Sequence, residues 1–387
     1  MTQVKKPDDS SPEVDGIRTA NRMAHEHLAG TLGSSKPHLE RQIRREQQAG
    51  PLTGLTMKQL AELAGIDIST VSRALRGDTK RVAQTTIERV QRLAQETGFV
   101  VDPVAASLRN GRSMMLGVVV HHLDDIVMGL LVTAIDEASS KRGYLSTVVA
   151  THDDPDARGR AIDRLLGRRV DALILCDSPL GHEVPERLRG SDVPFVFAMR
   201  GSDEAVSVTA DDREGGRLVA NHFLDAGHRV LAVVPGPIHA RTARDRTAGF
   251  IDAVSARPDV TLLPAQAGGG FGVEDGFAAT QALLANGAKP TALFCTNDHT
   301  AIGASRALVN RGLELGRDVA VVGYNDIPQA AYLETPMSSV HTDVARMGRT
   351  AVESVLAIID GQAAESTLLT PTLIVRESSD PERFRHA

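Results

Sequence analysis

The pattern that most constrains the fold begins at Met115, where short β-rich runs start to alternate with longer amphipathic stretches. The runs read MLGVVV, LSTVVA, VDALILC, PFVFAM, RVLAVV, ALFCT and VAVVGY. Several are apolar almost throughout, which is typical of parallel strands that helices cover on both faces. Because the pattern extends over residues 114–376, it predicts a core of two α/β lobes with a cleft between them.

A different pattern precedes this core, in the stretch TMKQLAELAGIDISTVSRALRG at residues 56–77. Thr56 and Gln59 form a capping-box sequence at the start of a first helix, and Gly65 suits a left-handed residue at its end. Asp67 is a good N-cap for a second helix. The stretch therefore predicts two short helices that meet at a tight turn.

Side chains at the start of the second helix are left exposed by its packing pattern, namely Ile68, Ser69, Ser72 and Arg73. A third helix is predicted over residues 84–97. Three short helices with such a turn are typical of a helix-turn-helix unit, whose second helix enters the major groove of DNA. The helix pattern alone fits a helical hairpin that caps another domain equally well.

The same stretch, followed by TTIERVQRLAQETGFVVDPVAASLR, resembles the head of the LacI/GalR family of bacterial transcription regulators. The core continues the resemblance through LGVVV, VDALIL, VPFVF, LDAGHRVLAVVPGP, RTAGF, TALFCTNDHTAIGASRAL and DVAVVGYNDI, in that order. The resemblance implies a multidomain chain. It would have an all-α helix-turn-helix head, a hinge helix and a two-lobed α/β core like that of periplasmic sugar-binding proteins.

On this resemblance the chain divides into five parts. They are a polar N-terminal extension at 1–54, a helix-turn-helix DNA-binding domain at 55–101, a hinge helix at 102–113, an effector-binding and dimerisation core at 114–376 and a short tail at 377–387. The extension lacks sustained apolar periodicity, so we expect it to be disordered. The tail has no leucine heptads, so we expect a homodimer and not a tetramer held by a coiled coil.

The resemblance also implies roles for residues of the head and hinge. The family's base-reading positions are matched by Ile68, Ser69 and Arg73, and its backbone-contacting positions by Thr70 and Ser72. Leu108 matches a hinge leucine that wedges into the minor groove at the centre of the operator. Ala83 stands where the family often has serine, so the third helix is expected to lack a cap worth about 1 kcal/mol. Because a two-fold dimer reads two matching half-sites, we expect a pseudo-palindromic operator.

The family's effector site lies between the lobes. Its positions are matched by Val127, Met128, Arg200, Asp211, Thr242, Arg246, Phe271 and Asp298. Arg246 and Asp298 match ligand-binding residues, although the two could instead form a structural ion pair across the cleft. Phe271 matches a stacking aromatic, whereas Val127 and Met128 stand where the family often has aromatic residues.

The effector implied by these residues is small and polyhydroxylated, because guanidinium and carboxylate groups suit adjacent hydroxyls. Several cations lie on segments that approach the cleft, namely His121, His122, Arg200, Arg241, Arg244 and Arg246. With few aromatics on one side, they narrowly favour a hydroxylated anion, such as a sugar acid or sugar phosphate, over a neutral sugar.

The charge distribution supports an anionic partner at the head. The 387-residue chain has a net charge of −6, yet residues 56–112 hold nine Lys or Arg against six Asp or Glu. A mildly basic head therefore precedes an acidic body, which is weak support for DNA binding.

Other functional classes find less support in the sequence. No apolar run approaches the ~18 residues of a membrane helix, and the first residues do not resemble a secretory signal, which disfavours a transport solute-binding protein. Cys176 and Cys295 lie far apart in apolar runs, as buried, reduced cytoplasmic thiols do. AGGGFG at 267–272 does not follow a clear strand and predicts a turn, not a phosphate loop. We find no catalytic triad order, metal spacing or cofactor motif. The expectation is a cytoplasmic, nucleoid-associated, non-enzymatic repressor.

Overall fold

The computed structural model describes residues 55–100, 111–178, 184–263 and 269–384. The chain divides into two compact units between Arg109 and Asn110. The predicted N-terminal extension, most of the predicted hinge with Leu108, and the last three residues of the tail lie outside the described residues.

The first unit contains the three predicted helices: α1 at Met57–Ala64, α2 at Ile68–Leu75 and α3 at Gln84–Thr97. Their apolar faces share one small core, which includes Leu60, Val71, Ala74, Ile87 and Val90. Each of these residues recurs at helical spacing, so the three helices bury a common face and leave the opposite faces polar.

Local side-chain chemistry fixes where these helices begin and end. The Thr56 hydroxyl accepts from the Gln59 backbone N–H, and the Gln59 side chain accepts from the Thr56 backbone N–H, as a capping box requires. Gly65 ends α1 in the left-handed conformation with φ 65°. Asp67 caps α2. Ala83 begins α3 with no side-chain cap, as predicted.

The second unit contains two six-stranded sheets, which define two lobes. The sheet of lobe 1 has the order β11-β5-β4-β3-β1-β2, with β1 Met115–Val120, β2 Leu145–Ala150, β3 Ala172–Leu175, β4 Phe195–Ala198, β5 Ser207–Ala210 and β11 Thr367–Leu369. The sheet of lobe 2 has the order β12-β10-β9-β8-β6-β7, with β6 Val230–Val234, β7 Thr261–Leu262, β8 Ala292–Cys295, β9 Ala320–Asn325, β10 Ser338–His341 and β12 Thr372–Ile374. Only the β10–β12 pair is antiparallel among these described strands.

Helices of this unit follow the strands. They are α4 Ile126–Lys141, α5 Pro155–Gly167, α6 Glu186–Arg189, α7 Asp212–Asp225, α8 Arg241–Ser255, α9 Val273–Ala285, α10 Asp298–Val309, α11 Val344–Ile359 and α12 Pro381–Phe384, with short 3₁₀ segments at Pro328–Tyr332 and Glu377–Ser379. The strand orders take the chain from one sheet to the other three times: after β5, after β10 and between β11 and β12. Each lobe therefore has its own sheet, and three chain segments connect the two lobes.

Central strands are buried on both faces, which explains their continuous apolar sequences. Every residue of β3 and of β8 is buried. Cys176 and Cys295 lie at the ends of these two strands as free, buried thiols, as predicted. Burial raises the pKa of both thiols well above the ordinary value, so neither is a reactive thiolate.

Glycines bring helix backbones of lobe 2 into direct contact. A Cβ on Gly216 of α7 would overlap the Arg246 carbonyl oxygen of α8, and a Cβ on Gly249 of α8 would overlap the Arg213 carbonyl oxygen of α7. Gly276 and Gly303 play the same part between α9 and α10. The close approach of α7 and α8 sets where Arg246 lies relative to the start of α7.

Gly216→Ala should therefore destabilise the core, because its methyl group can only be accommodated by separating α7 from α8. We expect a loss of about 1–3 kcal/mol in the free energy of unfolding, measured by urea denaturation. Gly129→Ala is the matched control, since Gly129 lies in α4 with no atom within 4 Å of an added Cβ. That variant should gain up to about 1 kcal/mol from helix propensity. Equal stability of the two variants would contradict the close crossing.

Candidate functional site

The carboxyl ends of strands from both lobes line one small, polar cavity of about 20 Å³, called here the inner cavity. Lobe 1 contributes His121, Asp125, Val127, Met199 and Arg200. Lobe 2 contributes Thr242, Arg246, Phe271, Asn297 and Asn325. Parallel α/β sheets bind ligands at the carboxyl ends of their strands, so this is the expected place for a ligand. The cavity itself has room for about one water molecule.

A larger space of about 510 Å³, called here the outer cavity, shares His121, Asp125 and Phe271 with the inner one. Its remaining lining includes His122, His152, Asp153, His239, Asp275 and His299. Its volume is that of a small-molecule site. Together the two cavities form a polar cleft with a narrow base and a wide mouth rich in imidazole and carboxylate groups.

Arg246 is the main cation on the lobe 2 side, and it is buried. Its Nε donates to Asp212 Oδ1 at 2.8 Å, its Nη1 donates to the Thr296 carbonyl oxygen at 2.8 Å, and its guanidinium carbon lies 3.7 Å from the ring centroid of Tyr324. Burial alone would lower the pKa of Arg246, but the Asp212 carboxylate outweighs it and the pKa is raised. The ion-pair partner of Arg246 is thus Asp212 of its own lobe, not Asp298.

Asp298 is not among the residues that line the inner cavity. Its Oδ1 accepts from Ser339 Oγ at 2.6 Å and its Oδ2 accepts from the Ile327 backbone N–H at 2.8 Å. It lies behind the lining of the inner cavity and ties the start of α10 to the segments after β9 and in β10. Burial raises the pKa of Asp298 to about 7.

On the lobe 1 side, Arg200 is 2% exposed although it lines the inner cavity. Its Nη1 donates to Asp153 Oδ1 at 2.5 Å. The other oxygen of Asp153 lies 3.4 Å from Nε2 of His239 in lobe 2. Asp153 therefore connects the cleft arginine of one lobe to the other lobe.

Backbone strain is concentrated around this cleft. Seven non-glycine residues have positive φ among the described residues, and four of them line the two cavities. These four are His152 at 55°, Asp153 at 57°, Met199 at 66° and Asn325 at 99°. Left-handed residues cost roughly 1–3 kcal/mol each and persist where the surrounding structure holds them, often at functional sites. His, Asp and Asn adopt this conformation more often than other non-glycine residues, so only Met199 is unexpected from its residue type.

Of the remaining residues predicted to face the cleft, some line the inner cavity and others lie elsewhere. Val127, Thr242 and Phe271 line the inner cavity. Met128 is fully buried in the core of the unit. Asp211 caps α7 by accepting from the Glu214 N–H at 2.9 Å, and it lines a third cavity of about 450 Å³. Sequence reasoning did not single out Met199, Asn297, Asn325, Asp153 or Asp212, which belong to the cleft or hold its cations.

In the head, α2 presents the residues predicted to meet DNA. Ile68 is 41% exposed and Ser69 is exposed, whereas Ser72 and Arg73 are half-buried. The Asp67 carboxylate accepts from Ser69 Oγ at 2.6 Å and from Thr70 Oγ1 at 2.6 Å. These bonds hold the pKa of Asp67 well below its ordinary range. Both hydroxyls must rotate away from Asp67 before they can donate to a phosphate or a base.

The raised pKa of Asp298 predicts a pH-dependent stability. The folded state holds this proton more tightly than the unfolded chain, whose carboxyl has the ordinary value of 3.8. Its contribution to the free energy of unfolding is full below about pH 4 and is lost as pH rises through about 7. Asp298→Asn should remove this dependence. Between about pH 4 and pH 7, the free energy of unfolding of the variant should therefore rise relative to that of the wild type, by at most roughly 1.4 kcal/mol per pH unit. Urea denaturation from pH 4 to 8 measures it.

Asp136→Asn, at an exposed position of α4, is the control for the loss of one carboxylate. Its stability curve should run parallel to that of the wild type. A parallel curve for Asp298→Asn would show that the buried carboxyl titrates near its ordinary pKa.

Two family models match the chain. One, described as bacterial regulatory proteins of the lacI family, matches residues 56–102, and one described as a periplasmic binding protein-like domain matches residues 220–379. The HTH-type transcriptional repressor PurR of Haemophilus influenzae strain PittEE is 30% identical over 331 residues, which are 84% of this chain and 98% of that protein. The ribose operon repressor of Haemophilus influenzae strain Rd is 29% identical over the same shares of both chains.

Solved structures agree with the sequence matches. The lac repressor dimer bound to operator and the anti-inducer ONPF matches with a TM-score of 0.75 and 28% identity, over 84% of this chain and 99% of that one. The transcriptional regulator CelR in complex with cellobiose matches with a TM-score of 0.62 and 27% identity, over 84% of this chain and all of that one. Among the described residues, no helix has the length and apolar character needed to cross a membrane. With its helix-turn-helix head and its two-lobed periplasmic-binding-protein-like core, the chain belongs to the LacI family and is a DNA-binding transcriptional regulator.

Proposed function

We propose that this regulator is a homodimeric repressor of a pseudo-palindromic operator, and that a small polyhydroxylated effector bound between the lobes sets its operator affinity. The observation that carries the proposal is the inner cavity, whose lining comes equally from the two lobes. A ligand in such a place contacts both lobes only when they are close together, so binding it favours one lobe arrangement over another.

The head would read the operator through α2. Arg73 is half-buried on α2, and its long side chain could reach a guanine edge in the major groove. Ile68 can pack on a thymine methyl, and Ser69, Thr70 and Ser72 can donate to phosphates or bases once their hydroxyls turn outward. Leu108 would wedge into the minor groove at the operator centre, and the effector would act by changing whether paired hinges can place it there.

An exposed aromatic ring supports the homodimer. Tyr332 ends the 3₁₀ segment after β9 and is 89% exposed, so a second copy of the chain can cover its ring and pair its hydroxyl. The lac repressor structure that the chain resembles is a dimer. We assign Tyr332 to the surface that joins two copies of this chain.

The effector would be held directly by Val127, Arg200, Thr242, Arg246 and Phe271. Asp298 and Met128 would act from behind this lining, and Asp211 by fixing the start of α7. The buried ions of the cleft are tied to one another or to the backbone, as in Arg246–Asp212 and Asp298–Ile327. Groups fixed in this way suit binding better than proton transfer, so we infer a binding function and no catalysis. The protein would act on the nucleoid, in the cytoplasm.

Selection of bound fragments from genomic DNA by the purified protein, with and without a metabolite extract, tests the proposal. The recovered fragments should share a two-fold symmetric site, and the extract should change their recovery. Fragments without any common site, or recovery that no extract alters, would refute the operator or the effector part respectively.

Arg73→Ala should weaken binding to the selected operator by about 1–3 kcal/mol and relax the preference at one base pair of each half-site. Fluorescence anisotropy with single-base operator variants measures both effects. Arg92→Ala, an exposed arginine of α3, is the control and should keep the same base preferences. If Arg73→Ala lowers affinity for every sequence equally, Arg73 contacts phosphate and not a base.

Tyr332→Arg should shift the protein from dimer to monomer, because a buried, unpaired charge at a two-fold contact is present twice. Analytical ultracentrifugation at micromolar concentrations measures the change, and operator affinity should fall with it. Ile238→Arg is the control, since Ile238 is equally exposed but lies at the rim of the cleft region. A fully dimeric Tyr332→Arg variant would place the interface elsewhere.

A further inference from the structure

Arg200 has a buried hydrogen-bond donor that no described residue pairs with. The side chain is buried, and Nη1 is taken by Asp153. Its Nη2 is also buried and has no hydrogen-bond partner among the described residues. A buried cationic N–H without an acceptor is costly, so an occupant of the cavity that supplies an acceptor would remove that cost.

His121 has a second unmet nitrogen at the same cavity. Its Nε2 lies 3.5 Å from Asp125 Oδ2, while its Nδ1 is buried and has no partner among the described residues. His121 and Arg200 follow different strands of lobe 1, β1 and β4, and both line the inner cavity. The two unmet nitrogens therefore belong to one site and not to two unrelated defects.

Carboxylates around the inner cavity are already engaged. Asp125 faces His121 and accepts from the Val127 N–H at 2.8 Å. Asp153 binds Arg200, and Asp212 binds Arg246. Arg200 Nη2 can only donate a hydrogen bond, so the site favours a ligand atom that accepts hydrogen bonds over a cation.

The size of the space limits what that ligand atom belongs to. The inner cavity, about 20 Å³, admits about one ligand atom, whereas the outer cavity of about 510 Å³ admits a sugar-sized body. A carboxylate or a phosphate oxygen fits the small space, and its charge strengthens each bond that it accepts.

We infer that the effector carries an anionic group, a carboxylate or a phosphate, and that one oxygen of this group occupies the inner cavity between Arg200 of lobe 1 and Arg246 of lobe 2. Its hydroxylated body lies in the outer cavity among the histidine and aspartate side chains. This inference rests on the proposed function and names the chemical class of the effector. Arg200 then determines specificity, because a neutral sugar of the same shape leaves Nη2 without a strong acceptor.

The test divides a bacterial metabolite extract on an anion-exchange resin into a retained, anionic fraction and an unretained one. Each fraction is added to the full-length protein on its selected operator, and operator affinity is measured by fluorescence anisotropy. We expect the anionic fraction alone to change the affinity. Alkaline phosphatase treatment then separates the two chemistries: loss of the effect identifies a phosphate, and retention identifies a carboxylate.

Arg200→Gln should shift the dose–response curve for the active fraction at least tenfold, with each curve measured relative to the same variant's operator affinity without the fraction. Arg213→Gln, which removes an exposed arginine paired with Asp252, should leave the curve unchanged. If Arg200→Gln folds poorly, the double variant with Asp153→Asn removes both members of the buried pair and has the same expected shift.

The outcomes separate this inference from the proposed function. Activity in the unretained fraction, or an unshifted curve for Arg200→Gln, would overturn the anionic effector and leave an effector-controlled repressor in place. If neither fraction changes operator affinity, effector control itself fails, and the inference fails with it.

Discussion

One buried cation, Arg246, holds the lobe 2 side of the cleft together. A guanidinium removed from water must find a carboxylate and acceptors, since an unpaired buried charge costs several kcal/mol. Arg246 meets this requirement with Asp212 from α7, the Thr296 carbonyl after β8 and the face of Tyr324 in β9. Three elements are therefore placed relative to one side chain of α8. The glycines at the α7–α8 crossing serve the same end, because they let the Asp212 carboxylate come close enough to reach it.

Lobe 1 also has a buried ion pair, but this pair does not line the cleft. Arg158 Nε lies 3.1 Å from Asp177 Oδ1, and Thr151 Oγ1 donates to Asp177 Oδ2 at 2.8 Å. This pair stabilises the lobe from within. The ion contacts that span the lobes, such as Arg241–Asp203 at 3.0 Å, involve partly exposed groups. Such contacts contribute little to stability, about 0–1 kcal/mol, so these ion pairs alone do not fix the arrangement of the lobes.

The fold was largely predictable from the sequence because its signals are local and repeated. Alternating apolar runs and helices specify two parallel sheets, and the Thr56, Gly65 and Asp67 signals place helix ends to the residue. The cleft was predictable only as a region. Asp211 and Asp212 are neighbours at the start of α7, and which one caps the helix and which one turns to Arg246 depends on a one-residue choice of boundary. No periodicity or spacing resolves that choice.

Side-chain direction was the other property that the sequence could not supply. Asp298 belongs to a recognisable motif, yet its carboxyl points to Ser339 and Ile327, because the segments after β9 and in β10 offer donors there. Met199 has no left-handed preference, and tertiary packing alone imposes its φ of 66°. Long-range packing decides both features, so they become visible only when distant segments are brought together.

The free-energy cost of left-handed residues and unpaired buried nitrogens in the cleft explains how a small ligand could act over a distance. Left-handed residues and unmet buried nitrogens each cost on the order of 1–3 kcal/mol, and they are concentrated where the two lobes meet. Allosteric coupling typically needs about the same amount, 1–3 kcal/mol. A ligand that satisfies even one buried donor only when the lobes are in one arrangement therefore has the differential affinity needed to shift their equilibrium. The cleft thus provides the free-energy difference that an effector needs, while the buried pairs Arg158–Asp177 and Arg246–Asp212 stabilise each lobe from within.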